Sequence, residues 1–323
     1  MAKIIVDTMG ADLGLAEVVK GCLEATSLDN TLELILVGPG EDITPLVEGI
    51  KQIKVIDASE VITNLDNPMV AIREKQNASI VVALELLRSD ESIDGLVTAG
   101  ATGALICGSI LKLKKLPGAK PALLASLIGK DFKPFCLVDC GANIDSPASF
   151  LVSFAKMGVS YMEACFGIKN PKVALLSNGA ESTKGDARTK EAHQLLKETN
   201  LNFIGNVEAS HVLDGLCDCV VCDGFSGNMI LKNTEGTAKF ILSSLIQKKN
   251  EVNEDGKKLL DEVIKDLTKQ FDYNGLGGAV LVGFDKILIK GHGASNHTSI
   301  KNIIFQAVKM ANGDIIHKME QNL

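Results

Sequence analysis

The residues of this sequence best suited to chemistry are those that could hold an oxyanion. Lys184 and Arg188 follow or lie in the polar stretch Glu181-Ser182-Thr183-Lys184-Gly185, Asn143, Asn178 and Asn228 stand in other glycine-bearing turns, and His292 sits between two glycines in Gly291-His292-Gly293-Ala294-Ser295. A cation above a helix start, where backbone N–H groups lack partners, is a natural seat for inorganic phosphate or a phosphoryl group. The 181–185 turn is the strongest local signal, because it precedes an amphipathic stretch at 189–197 whose N-terminus the lysine would cover. The same turn would also serve as a plain solvated helix cap. His292 divides evenly between a structural and a functional place; its Gly-His-Gly setting lets the ring reach a cleft.

Other chemistries find less support. The carboxylates Asp7, Asp139 and Asp223 all end apolar runs, which suits a polar network better than a metal, since no close carboxylate pair specifies one. Neither phosphate-loop nor dinucleotide fingerprint is met, and there is no Gly-x-Ser-x-Gly elbow for a nucleophilic serine. Eight cysteines, at 22, 107, 136, 140, 165, 217, 219 and 222, lack zinc-site spacing and read as reduced core thiols. No cofactor and no metal are expected.

The elements that must carry these residues follow from hydrophobic patterning. Continuous aliphatic runs at 3–6, 33–37, 54–57, 95–98, 135–139, 172–176, 202–207, 219–223 and 286–290 alternate with helical-period segments, the mark of parallel strands buried on both faces. This predicts an α/β fold, a three-layer α/β/α sandwich forming a single domain over 1–323. In such a sheet ligands lie beyond the carboxyl ends of the strands. Five polar, glycine-bearing turns converge there: Asp7-Thr8-Met9-Gly10, Thr98 to Gly103, Asp139 to Asn143, Ser177 to Glu181 and Asp223 to Asn228. One stretch breaks the alternation. Apolar residues at helical spacing on either side of a polar turn at 248–256 predict an αα-hairpin insertion, 234–273, with one apolar stripe per arm. That stripe would pack on the body of the protein or on a two-fold partner.

Composition narrows the partners. Thirty-three Lys and Arg against forty Asp and Glu give a net charge of −7, and aromatic residues are only 4%, with no Trp. Nucleic acid is thereby set aside. No segment is long and apolar enough to span a bilayer and the start does not read as a signal peptide, so a cytoplasmic protein is expected.

Six stretches, in order and spacing, resemble the bacterial phosphate acyltransferases of phospholipid synthesis, the PlsX family. They are Val6-Asp7-Thr8-Met9-Gly10-Ala11-Asp12, Thr98 to Ala104, Val138 to Asn143, Asn206-Val207-Glu208, Val221 to Asn228 and Gly291 to Ser295. The resemblance runs the whole chain. It implies transfer of a fatty acyl group from acyl-[acyl carrier protein] to inorganic phosphate, an isopropylmalate dehydrogenase-like fold, and a homodimer whose acyl phosphate feeds a membrane glycerol-3-phosphate acyltransferase. For that chemistry Lys184 with the amides around Gly100, Thr102, Gly103, Gly141 and Asn143 would hold phosphate, joined by Asp7, Gly10, Asn178 and Gly227. Asn228 and His292 would serve the oxyanion or the leaving sulfur, and Asp223 and Glu181 would orient them. The chain departs from the family at Ala11, where a glycine is usual, at Asp186, where Asn is frequent, and at its polar hairpin tip, which weakens the case for contact with a membrane surface. Lys112, Lys114, Lys115 and Lys120 offer a patch for an acidic carrier protein, or simply a solvated helix end. A coenzyme A-dependent phosphotransacylase, a metal-dependent hydroxyacid dehydrogenase and a non-catalytic scaffold of lipid enzymes are the rival readings.

Overall fold

The computed structural model describes residues 2–271 and 277–323. Among these, eleven strands form one sheet: β1 (Lys3–Asp7), β2 (Glu33–Gly38), β3 (Ile53–Asp57), β4 (Gly95–Thr98), β5 (Ala122–Ile128), β6 (Pro134–Val138), β7 (Lys172–Ser177), β8 (Asn202–Glu208), β9 (Cys219–Val221), β10 (Ala279–Val282) and β11 (Ile287–Lys290). The spatial order is β3-β2-β1-β4-β11-β10-β5-β6-β9-β7-β8.

Both faces of the strands are apolar, and their alternation sorts side chains into two cores. Ile4, Val6, Leu34, Leu36, Val97 and Ile289 point to one, while Ile5, Ile35, Val37, Leu96 and Leu288 point to the other. The first core is closed by α1 (Leu15–Leu28). The short α2 (Gly40–Ile43) follows β2, and the second core is closed by α3 (Pro68–Glu74), α4 (Ser79–Ser89) and α5 (Thr102–Lys112). Back on the first face lie α6 (Ala148–Phe166) and α7 (Ala187–Lys197). The hairpin is α8 (Gly224–Lys249) and α9 (Glu254–Gln270), and the chain finishes with α10 (His297–Asn312) and α11 (Ile315–Asn322) on the first face. A three-layer α/β/α sandwich results.

All nine expected strands are present, and two more were not anticipated. β5 and β10 run antiparallel to their neighbours: β5 pairs β6 and β10, and β10 pairs β11. The sheet is therefore mixed: β3-β2-β1-β4-β11 and β6-β9-β7-β8 are each parallel within themselves, and the three antiparallel pairings between β11 and β6 make these two flanks run in opposite directions. A continuous run such as Ala122 to Ile128 carries no local mark of direction, because a strand buried on both faces looks alike either way.

The hairpin also differs from its expected bounds. Its first arm starts at Gly224, ten residues before the expected 234, because Asp223 caps the helix by accepting from the Ser226 N–H at 3.0 Å. The turn narrows to 250–253, where Asn253 caps α9 through the Gly256 N–H at 2.9 Å. The expected end at 272–273 lies outside the described residues.

Candidate active site

Chain order reverses between β1 and β4: from β1 the strands proceed through β2 and β3 to one side and through β4 to the other. A crevice opens above such a switch point. Here the turns after the two strands touch. Gly10 has a φ of 78°, and a Cβ on it would stand 2.9 Å from the Gly100 Cα, so only glycine fits. Below the contact, the Thr98 hydroxyl donates to Asp7 Oδ2 at 2.7 Å and accepts from the Gly100 N–H at 2.9 Å. Burial pushes the Asp7 carboxyl above the usual range, against the pull of hydrogen bonds from Ser79, Thr98 and the Met9 N–H.

The turn after β6 is organised by Asp139, which is fully buried. Its Oδ1 accepts from the N–H groups of Leu123, Gly141 and Ala142 at 2.9 to 3.0 Å, and Oδ2 from the Asn143 N–H and Nδ2 at 2.7 and 2.8 Å. The amides of Gly141 and Asn143, expected to bind phosphate, thus already serve a carboxylate, as the Gly100 amide serves Thr98. Donors remain at α5. Ala101 is its N-cap and supplies no side-chain cap, so the first-turn N–H groups, beginning with Thr102, are open to an anion.

A cleft of about 530 Å³ gathers Gly10, Gly100, Thr102, Gly141, Asn228 and His292. The His292 Nδ1 accepts from the Ala294 N–H at 3.1 Å, which puts the proton of the neutral ring on Nε2, ready to donate. Asn228 lies on the first turns of α8, placed by the Asp223 cap.

The remaining expected residues lie outside the cleft wall. Lys184, Glu181 and Asn178 are exposed. Asn178 Oδ1 accepts from the Gly185 N–H at 2.8 Å, and the Glu181 carbonyl accepts from Asn206 Nδ2 at 2.9 Å. They build a surface turn, the solvated alternative read from the sequence. Asp223 receives the Arg188 Nη2 at 3.0 Å in addition to its capping bonds. The Asn143 side chain is held by Asp139 and by the Pro121 carbonyl at 2.8 Å. Gly103 and Gly227 act by leaving room: a Cβ on Gly103 would meet Pro68 Cγ at 2.7 Å, and one on Gly227 would collide with the Asp139 carbonyl. Asp186 caps α7 through the Thr189 N–H at 2.8 Å, and hydrogen bonds from Thr189 hold its carboxyl below the usual range.

The cleft also brings in residues that the sequence reading passed over: Asp12, Lys232, Glu235 and Lys290. Lys232 and Glu235 form an ion pair at 2.9 Å. Lys290 is 9% exposed, and its Nζ donates to the Ala99 carbonyl at 3.0 Å and to the Gly291 carbonyl. Burial lowers its pKa to about 8, with Asp7 and Asp12 opposing the fall. A lysine closing the apolar run Ile-Leu-Ile just before Gly-His-Gly was the available signal. Beside the cleft lies a pocket of about 310 Å³ lined by Ala238, Leu242 and Phe271 among others; it shares His292 and Glu235 with the cleft.

This sandwich, with its crevice at the switch point, is the architecture of phosphotransacylases and of one group of dehydrogenases. The phosphotransacetylase of Streptococcus pyogenes superposes with a TM-score of 0.61 at 18% identity, covering 98% of this chain and 94% of that one. The 4-hydroxythreonine-4-phosphate dehydrogenase of Klebsiella pneumoniae gives 0.53 at 14%, covering 97% and 99%. A family model described as fatty acid synthesis protein matches residues 2–318. The phosphate acyltransferase of Clostridium novyi (strain NT) is 40% identical over 331 residues, 99% of this chain and 98% of the relative. The chain belongs to the phosphate acyltransferase family, and it is an enzyme of that class.

Proposed function

We propose that this enzyme moves a fatty acyl group from the thioester of an acyl carrier protein to inorganic phosphate, making an acyl phosphate for phospholipid synthesis. A phosphate oxygen attacks the carbonyl carbon, a C–O bond forms, and the tetrahedral intermediate collapses with loss of the C–S bond. The proton carried by hydrogen phosphate ends on the departing sulfur. Open amides at the start of α5 suit the phosphate, the Asn228 amide suits the oxyanion, and the His292 Nε2–H can hydrogen-bond to the sulfur as negative charge develops there, the proton itself coming from the phosphate.

The observation that carries the reading is the shared wall. His292 borders both the polar cleft and the pocket lined by Ala238, Leu242 and Phe271, so one residue stands where a phosphate and the head of an apolar acyl chain would meet.

Partners belong to the same proposal. Of the four lysines considered for the carrier protein, Lys112 is committed to Glu85 at 2.6 Å and Lys120 lies over the Phe150 ring at 4.9 Å; Lys114 and Lys115 are exposed and available. Phe240 and Leu259, 71% and 62% exposed, leave apolar area on the hairpin that a second copy would cover. The same proposal includes a membrane glycerol-3-phosphate acyltransferase as the consumer of the product; among the described residues of this chain no helix is long and apolar enough to cross a membrane.

The test is incubation with palmitoyl-loaded carrier protein and labelled phosphate, followed by trapping with hydroxylamine. Phosphate-dependent palmitoyl hydroxamate is expected. Turnover of acetyl-coenzyme A with none from the carrier protein would assign the enzyme to the coenzyme A-dependent class instead.

A further inference from the structure

The cleft contains a cation whose charge nothing in contact answers. Lys290 ends β11 in register with Thr98 of β4, which is in register with Asp7 of β1, so the three side chains form a row across the floor of the crevice. Asp7 is not in contact with the ammonium; its Oδ2 takes the Thr98 hydroxyl. The Lys290 partners are carbonyl oxygens, those of Ala99 and Gly291, and among the described residues the lysine makes no ion pair. Two of its three N–H donors are therefore used and one is left for the cleft that Lys290 lines. A buried ammonium without a counter-ion is costly, and the cost is recovered when an anion arrives.

We propose that Lys290 is the cation that binds the attacking phosphate, seating it between its own ammonium and the open amides at the N-terminus of α5. The inference rests on the phosphate acyl-transfer reading and deepens it. It moves the phosphate charge partner from Lys184, which is exposed and outside the cleft, to a residue on the rigid sheet. The two carbonyls aim the ammonium, so the anion meets a positioned charge and not a flexible surface side chain.

The other charged groups around the row set the conditions. Asp7 on β1 and Asp12 in the turn after it are acidic, Lys232 on α8 is basic but paired to Glu235, and His292 lies in the turn after β11. Among the described residues that line the cleft, Lys290 is thus the lysine without an ion pair, and loss of its proton ends its role in binding phosphate. With its pKa lowered to about 8, phosphate binding should weaken in alkaline solution.

The experiment follows thermal unfolding with and without inorganic phosphate, in the whole protein and in Lys290→Met, with KM measured separately for phosphate and for the acyl donor. Met keeps the length and removes the charge, so the variant should fold and unfold at the same temperature as the parent or above it. Phosphate should raise the melting temperature of the parent and not that of the variant. The KM for phosphate should rise by about 30-fold or more in the variant, with the donor KM within about twofold. Lys290→Arg checks the charge independently: it should retain phosphate binding and abolish the loss around pH 8, since guanidinium stays charged. A variant Lys290→Met that keeps the full phosphate shift would overturn the role of Lys290 and leave the acyl-transfer reading standing. A parent that phosphate does not stabilise at all, even at high millimolar concentration, would overturn the phosphate reading and the inference with it.

Discussion

Thr98 on β4 stands in register with Lys290 on β11, and its hydroxyl links the Asp7 carboxylate to the Gly100 amide at 2.7 and 2.9 Å. One small side chain therefore ties the buried acid to the turn that touches Gly10. The floor of the crevice and its glycine wall are a single hydrogen-bonded unit, and damage to one should be felt in the other.

Thr98→Val tests this. The change takes one hydroxyl donor from the buried Asp7, leaving Ser79 and the Met9 N–H, and frees the Gly100 amide, which should cost about 1–3 kcal/mol. Chemical denaturation reads the loss. Because the Gly100 turn also walls the cleft, the KM for phosphate should rise as well; a destabilised variant with an unchanged KM would mean that the turn keeps its place without Thr98.

Asp139 makes a sharper case. It accepts five N–H donors while fully buried, so the turn from Gly141 to Asn143 is wrapped around a carboxylate. Asp139→Asn replaces one acceptor oxygen by an NH₂ group that faces donors. A loss of about 3 kcal/mol or more is expected in the urea unfolding free energy, with the solvent-exposed Asp145→Asn as an inert control.

The acidity of Lys290 makes the stability of the apo protein depend on pH in a definite direction. Burial lowers the folded pKa to about 8 from 10.5 unfolded. Below about pH 8 both states are protonated and the full cost of the buried charge is present. Between about 8 and 10.5 the unfolded state binds more protons, so stability rises with pH, and above 10.5 the cost is gone. Without phosphate, the stability of the parent measured against Lys290→Met should therefore be lowest below pH 8 and recover through that window. A difference that stays flat from pH 7 to about 10.5 would show that burial does not lower the Lys290 pKa, and one that already climbs steeply from pH 7 would show that Lys290 is uncharged while buried.

Much of this architecture is legible in the amino-acid sequence, and the part that is not has physical causes. Apolar runs flanked by glycine turns locate nine strands, because burial on both faces writes itself into composition. Strand direction does not, so the reversal of the β6-β9-β7-β8 flank against the β1 flank escapes notice along with β5 and β10 between them. Gly141, Ala142 and Asn143 look like an anion-binding turn, and they are one; its anion is the protein's own Asp139. Lys184 stands out by its local setting, whereas Lys290 acquires its character only from the strands on either side. Local sequence reports which residues have charge; tertiary packing decides which charge is buried.

That division leaves the acyl chain to be tested where α8 meets the 292–294 turn. Leu242 lines the pocket of about 310 Å³ that shares His292 with the cleft. Leu242→Trp should fill much of it without touching the floor formed by Asp7, Thr98 and Lys290. Each methylene denied burial forfeits about 0.8 kcal/mol, a factor of about four, so the loss of two or three should lower kcat/KM for a sixteen-carbon donor by about 15- to 60-fold. Donors short enough to end before the indole should be turned over as by the parent, with an unchanged KM for phosphate. The chain-length profile of kcat/KM is the measurement. A uniform fall for every donor would place the acyl chain elsewhere, because only a pocket that measures length can penalise long chains and spare short ones.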